Sequence, residues 1–131
     1  MKEVIEYTSA KQNDAIAQVG TAREKLKALI ISELYAINGV TCDAMTVLVF
    51  EWDALSRSHQ HDLLELRNAY ESTWVGILKQ LKDESGYVES PQVWRKLLVG
   101  AIAWSVTWFR KDGSMTLESL ADRVLLMALG R

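Results

Sequence analysis

The spacing of apolar residues constrains this chain more than any other feature. Leu63, Leu66, Tyr70, Trp74, Ile77 and Leu81 recur every three or four positions. They form one stripe of a helix of about five turns, with Glu65, Arg67, Glu71, Lys79 and Lys82 largely off it. Ser56 or Ser58 can cap its start, and Gly86 stands where a helix stops. A second stripe is Ala22, Leu26, Leu29, Ile30 and Ile37, capped by Thr21 and ended by Asn38 and Gly39. A third is Ala44, Val47, Leu48, Trp52 and Leu55, opened by Thr41. It absorbs residues 47–50, the one short β-like run. Ser90 and Pro91, a cap and a first-turn proline, open a helix expected to reach about Arg110. Residues 111–114 read as a turn. Thr116 then caps a final helix with Leu117, Leu120, Ala121, Val124, Leu125 and Ala128 on one face, closed by Gly130. Residues 2–19 read as a weakly patterned helix. The expectation is an all-α fold of six helices and no strand.

Composition narrows the functional classes. At 131 residues and 14.8 kDa the chain reads as one domain, 1–131. The net charge of −2 offers no global basic field for nucleic acid or anionic lipid. Charge is nonetheless uneven: residues 1–40 are net 0, 41–90 net −5 and 91–131 net +3. That is either a set of solvated helix faces or a cationic patch near the C-terminal third. A single cysteine, Cys42, excludes an intramolecular disulfide and a cysteine-based zinc site. Glu3 and Glu6 near the start do not fit a signal peptide. The longest apolar stretch, 97–109, is shorter than the roughly 20 residues a spanning helix needs. A cytoplasmic domain with no membrane association is expected. His59 and His61, two apart on a helix, are a poor metal pair, and no Glu-x-x-His occurs. No nucleophile motif or glycine-rich phosphate loop is present. Neither catalysis, a metal nor a cofactor is expected.

The last two helices say more than the others. Between 97 and 109 apolar residues occupy every side, and Leu126, Met127 and Leu129 lie off the main stripe of the final helix. A helix apolar all round must be covered all round, and a chain this short has little material to do so. A second copy of the chain is the economical cover. Gly100, Ala103 and Thr107 make a small-residue line for close approach, and with Leu97, Val124 and Met127 they form the expected seam of a four-helix-bundle homodimer interface. Two carboxylates, Glu33 and Glu51, fall inside apolar stripes. Each is either buried with a partner, for which Arg67, Arg95 and Arg110 are candidates, or a stripe-edge acid reaching water. Five tryptophans, at 52, 74, 94, 104 and 108, point either to an apolar cavity between helices or to plain core packing.

The order Trp104, Trp108, Phe109, Arg110, Asp112, Gly113, Glu118, Leu120, Ala121 resembles the junction of the last two helices in TetR-family repressors. The similar branch reads Asn-Trp-x-x-x-Trp-Tyr-Arg-Pro-Asp-Gly followed by Glu-Glu-Leu-Ala; Ser105, Phe109 and Lys111 depart from it. Phe50, Glu51, Trp52 and the Leu66, Arg67, Tyr70 stretch resemble the preceding helices. The resemblance implies a C-terminal effector-binding and dimerisation domain, with 1–19 as connecting helix and 91–131 as dimerisation helices. It implies DNA contact only through a helix-turn-helix domain absent from these residues, with Val4, Ile5 and Tyr7 as exposed remnants of that contact. It implies an apolar or anionic amphiphile such as an acyl-CoA as effector, with Tyr70, Trp74, Trp104 and Trp108 along its apolar part and Arg110 at its anionic part. The other expectation is a stand-alone dimeric helical module that binds a ligand or protein and never touches DNA.

Overall fold

The computed structural model describes residues 2–39, 52–85 and 90–130. Among the described residues there are five α-helices: α1 (Lys2–Ala17), α2 (Ala22–Asn38), α3 (Arg57–Ser85), α4 (Pro91–Trp104) and α5 (Leu117–Leu129). Two short 3-10 turns, Trp52–Ala54 and Ser105–Thr107, complete the described elements, among which there is no strand. Most of the third stripe, with Cys42, Glu51 and the β-like run, lies outside the described residues, as does Gly86.

The helix starts follow local chemistry. The first backbone N–H groups of a helix lack partners within it. Thr21 accepts from the Glu24 N–H at 3.1 Å, Ser56 from His59 at 3.3 Å, Ser90 from Val93 at 3.2 Å and Thr116 from Ser119 at 3.0 Å. Such caps each contribute about 1 kcal/mol. Gly130 ends α5 at φ 72°, a backbone conformation where a side chain would be strained.

α2 is the hub, packing against α1, α3, α4 and α5. Its inward face is Leu26, Leu29, Ile30, Leu34 and Ile37, all fully buried. Leu63, Tyr70, Trp74, Leu78 and Leu81 of α3 meet it, with Trp94, Leu98 and Ile102 of α4 and Leu120, Ala121 and Leu125 of α5. α5 rests mainly on α2 and touches α4 only lightly. The Lys27–Asp122 ion pair at 2.7 Å and the Tyr35–Glu118 hydrogen bond, both between α2 and α5, reinforce that packing.

Two expected boundaries need correction. The helix opened by Pro91 does not continue to Arg110: its α-helical part ends at Trp104. There the Ser105 hydroxyl donates to the Ile102 carbonyl at 2.6 Å, and the buried Asn38 amide donates to Ser105 Oγ at 2.9 Å and to Leu34 O at 3.1 Å. Thr107 likewise donates to Trp104 O at 2.7 Å. Side chains that bond preceding carbonyls compete with the helix ladder, which tightens into a 3-10 turn. The first helix ends at Ala17 rather than Val19. Among the described residues no helix is long and apolar enough to cross a membrane.

Candidate functional site

Among the described side chains of α1, the fully buried ones are polar. Thr8 and Gln12, one turn apart, are its buried residues, with Ala15 and Ile16 half-buried. Space is left on both flanks of the helix. On one flank a groove of about 560 Å³ separates α1 from α2. Tyr7, Lys11 and Ala15 form its α1 wall, and Ile31, Tyr35 and Ala36 its α2 wall. That volume falls within the range of small-molecule sites. On the other flank, Asn13 and Ile16 face Thr73, Gly76 and Ile77 of α3 across a shallower space of about 390 Å³.

The larger groove is apolar at its base and polar at its rim. Lys11 Nζ stands 5.4 Å from the centre of the Tyr7 ring, a cation–π contact that fixes one positive charge at the mouth. Opposite, Tyr35 is half exposed and its hydroxyl donates to the Glu118 carboxylate. That bond raises the Tyr35 pKa and lowers that of Glu118, so the phenol stays neutral and keeps its orientation. Gly39 closes the groove at the end of α2. A side chain there would put its Cβ 2.4 Å from the Tyr35 carbonyl oxygen, closer than real contacts allow.

A polar set lies deeper. Glu33 is 1% exposed, and burial pushes its pKa up to about 7 against the lowering effect of Arg95. Arg95 is itself paired with Glu71 at 3.4 Å, which also takes Arg67 at 3.4 Å. Glu33 Oε2, Gln12 Nε2, Tyr70 Oη and Trp74 Nε1 are all buried without a protein hydrogen-bond partner. A buried polar atom left without a partner costs about 1–3 kcal/mol.

The outer surface carries the third feature. Val93, Leu97 and Trp104 of α4 are 42%, 66% and 61% exposed, and Trp108 beyond it is 48% exposed. Val93, Leu97 and Trp104 are four and seven residues apart on α4, so these three share a face, and Trp108 follows the turn beyond the helix. On α5, Leu126 and Met127 are 54% and 86% exposed. Gly100 lies in the same stripe as Leu97 and Trp104, with open space where a Cβ would point.

Of the ligand residues expected from the sequence, the structure brings Tyr70 and Trp74 together in the core, one turn apart on α3. Trp104, Trp108 and Arg110 lie elsewhere, all exposed, and Arg110 faces Asp112 at 3.6 Å. Of the expected seam, Leu97, Gly100, Thr107 and Met127 are exposed and Val124 is half-buried, while Ala103 is 1% exposed and faces the chain's own core. Tyr7 is exposed, and the side chains of Val4 and Ile5 lie outside what is described. The groove residues Tyr7, Lys11, Tyr35 and Gly39 and the buried Gln12 were missed. The weak patterning of α1 was their one signal.

The arrangement of a first helix flanked by open space, a central hub helix and an apolar outer face on the last two has counterparts among known proteins. Residues 19–131 match the family model described as "Tetracyclin repressor-like, C-terminal domain". The chain belongs to this family of TetR-like C-terminal domains. It is therefore the regulatory-domain type of a transcriptional-regulator family. The crystal structure of the superantigen PfiT matches with 40% identity and a TM-score of 0.84, over 96% of this chain and 67% of that one. The ketosteroid transcriptional regulator KstR2 of Mycobacterium tuberculosis matches with 18% identity and a TM-score of 0.79, over 97% and 66%. AibR, in complex with isovaleryl coenzyme A and operator DNA, matches with 17% identity and a TM-score of 0.74, over 97% and 71%. The last two likenesses are of fold. No curated protein matches the chain. In this TetR-like domain α1 precedes the hub helix, so whatever displaces α1 acts on the chain's N-terminal end. Among the described residues no cluster of three or more His, Cys, Asp or Glu side chains could hold a metal.

Proposed function

We propose that this TetR-like domain is the effector-binding and dimerisation part of a transcriptional repressor. Its effector is an apolar or anionic amphiphile, such as an acyl-CoA, that binds in the groove between α1 and α2. The groove of about 560 Å³ with Lys11 at its mouth carries this reading, because it joins an apolar base to one cation. Tyr7, Ile31 and Tyr35 would pack the apolar part and Lys11 would meet the anionic part. AibR, a structural neighbour solved with isovaleryl coenzyme A, supports the ligand class. A ligand wedged between α1 and α2 would favour one position of α1, and differential affinity for the two positions is what shifts such an equilibrium. Tyr70 and Trp74 belong to the core and do not line the groove, whereas Trp104, Trp108 and Arg110 belong in this reading to the pairing surface.

The apolar faces of α4 and α5 support pairing with a second copy. Leu97, Gly100 and Thr107 with Val124 and Met127 would form the seam, and Trp104 would extend it. Such exposed side chains cost stability in a monomer and are typical of an interface. The experiment for the ligand is a thermal-shift and tryptophan-fluorescence titration with acyl-CoA thioesters of increasing chain length. A ligand that binds only the folded state must raise the melting temperature. Lys11→Met should weaken a carboxylate or CoA ester more than the matching alcohol. No change in either signal at saturating thioester would remove the acyl-ligand reading.

One observation favours a second reading. PfiT, 40% identical, is named a superantigen rather than a regulator. In a stand-alone module without a DNA role, the same outer face would dock another protein. Both readings allow a dimer, but a dimer of the purified chain that buries Met127 would leave that face closed to another protein and so count against the docking.

A further inference from the structure

We propose that Arg95 is a two-position switch: it ties α4 to Glu71 of α3 while Glu33 is protonated, and turns to Glu33 of α2 once that carboxyl is charged. The parts form a row of alternating charge that crosses three helices. Arg67 lies over the Trp52 ring, its guanidinium 4.6 Å from the ring centre. Its Nη2 is 3.4 Å from Oε1 of Glu71, and Nη2 of Arg95 is 3.4 Å from that same oxygen. Exposure falls along the row, from 34% for the Arg67 side chain through 25% for Glu71 to 14% for Arg95. Glu33, at the inner end, is 1% exposed. Arg95 is the charge that acts on Glu33, whose Oε2 receives no hydrogen bond from the protein. Arg95 is thus a mostly buried cation placed between two carboxylates on different helices.

The two carboxylates do not hold Arg95 equally. Two cations share one oxygen of Glu71, at distances longer than the roughly 2.7–2.9 Å of a close charge-assisted bond. If Arg95 leaves, Glu71 keeps Arg67, which Trp52 steadies. Glu33 has no second cation among the described residues. The buried side chains of α1 are the uncharged Thr8 and Gln12, while Glu3, Glu6, Lys11 and Asp14 are exposed. On α3 the charged residues other than Arg67, Glu71 and the half-buried Lys82 are exposed, and Lys82 lies three turns beyond Glu71. Lys96 of α4 is exposed. On α5, Glu118 and Asp122 are taken by Tyr35 and Lys27, and Arg123 is exposed. The turn Ser105–Thr107 carries no charge. A charged carboxylate buried without a partner is strongly disfavoured, so a charged Glu33 draws Arg95 to itself. With Glu33 protonated the row has one surplus positive charge; with Glu33 charged it is neutral. Burial pushes the Glu33 pKa up to about 7, which places the turning point near neutrality. The proton on Glu33 therefore decides whether α4, the helix with the exposed apolar face, is tied to α3 or to α2.

The test is a pH titration of the full 131-residue chain, following the Glu33 carboxyl carbon and the Arg95 Nε–H group by nuclear magnetic resonance. In the wild type the Arg95 signal should move with the same midpoint as the Glu33 carboxyl, near pH 7. Glu33→Gln should abolish that movement and leave Arg95 with Glu71. Glu71→Gln frees Arg95 for Glu33 and should lower the Glu33 midpoint by about one pH unit, whereas Arg95→Met should raise it. An Arg95 signal that stays flat while Glu33 titrates overturns the proposal on the wild type alone, even where a variant fails to fold. A Glu33 midpoint unchanged in folded Glu71→Gln also overturns it, because Glu71 then does not compete for Arg95.

Discussion

Glu33 is the residue that most clearly works against the stability of this domain. Its pKa in the fold, about 7, lies above its ordinary value of 4.5, so the protonated form is the one the fold prefers. For an acid raised in this way, stability is fully present below the ordinary value and is lost as pH rises toward and through 7. A shift of this size corresponds to a loss of about 3 kcal/mol at most. Urea denaturation of the wild type at pH 5 and pH 8 should show that fall, and Glu33→Gln should flatten it. Glu33→Leu should go further and raise stability at pH 8 by about 1–4 kcal/mol, as replacing buried charge by well-packed apolar volume often does. A wild type equally stable at both pH values would contradict the burial argument. The oddity of Glu33 was legible in the sequence because a carboxylate interrupted an apolar stripe. Whether it was buried was not, since that depends on α3 and α4 closing over it. The exposure of Trp104 and Trp108 was hidden for a related reason. Apolar spacing marks a helix face but does not say whether the chain itself or something else covers it.

At the scale of elements, the contrast is between α1 and the rest. α2 to α5 meet through leucine, isoleucine and tryptophan, whereas among the described side chains of α1 the buried ones are Thr8 and Gln12, with Ile16 packed against the core and open space on either side. Elements with few buried apolar contacts open locally at low free-energy cost. The backbone amides of α1 should therefore exchange with solvent fastest among the described helices, and a groove ligand should protect them. Slow exchange across α1 in the free protein would count against its being the moving part. The junction after α4 makes the opposite case, since it is firmly stopped. Ser105→Ala removes the acceptor of the buried Asn38 amide, and should cost about 1–3 kcal/mol as measured by chemical denaturation. Caps and helix faces were readable because Thr21, Ser90, Thr116 and Gly130 act locally. The end of α4 was not, because Asn38 and Ser105 are far apart in sequence and meet only in the folded chain.

For the whole molecule, the proposed pairing covers the outer faces of α4 and α5 with a second copy. Leu97, Trp104, Leu126 and Met127 stay largely exposed in one chain, although residues beside them are buried. Introducing charge there should separate the subunits without unfolding either. Leu97→Glu or Met127→Lys should give a monomer with wild-type helicity by circular dichroism, whereas Ala103→Glu should unfold the chain, because Ala103 faces the core. The most direct measurement is the sedimentation-equilibrium mass of the purified wild-type chain across micromolar concentrations. The expected mass is twice the chain mass of 14.8 kDa, returning to a single chain mass in Leu97→Glu. A wild-type mass of 14.8 kDa at every concentration would contradict it.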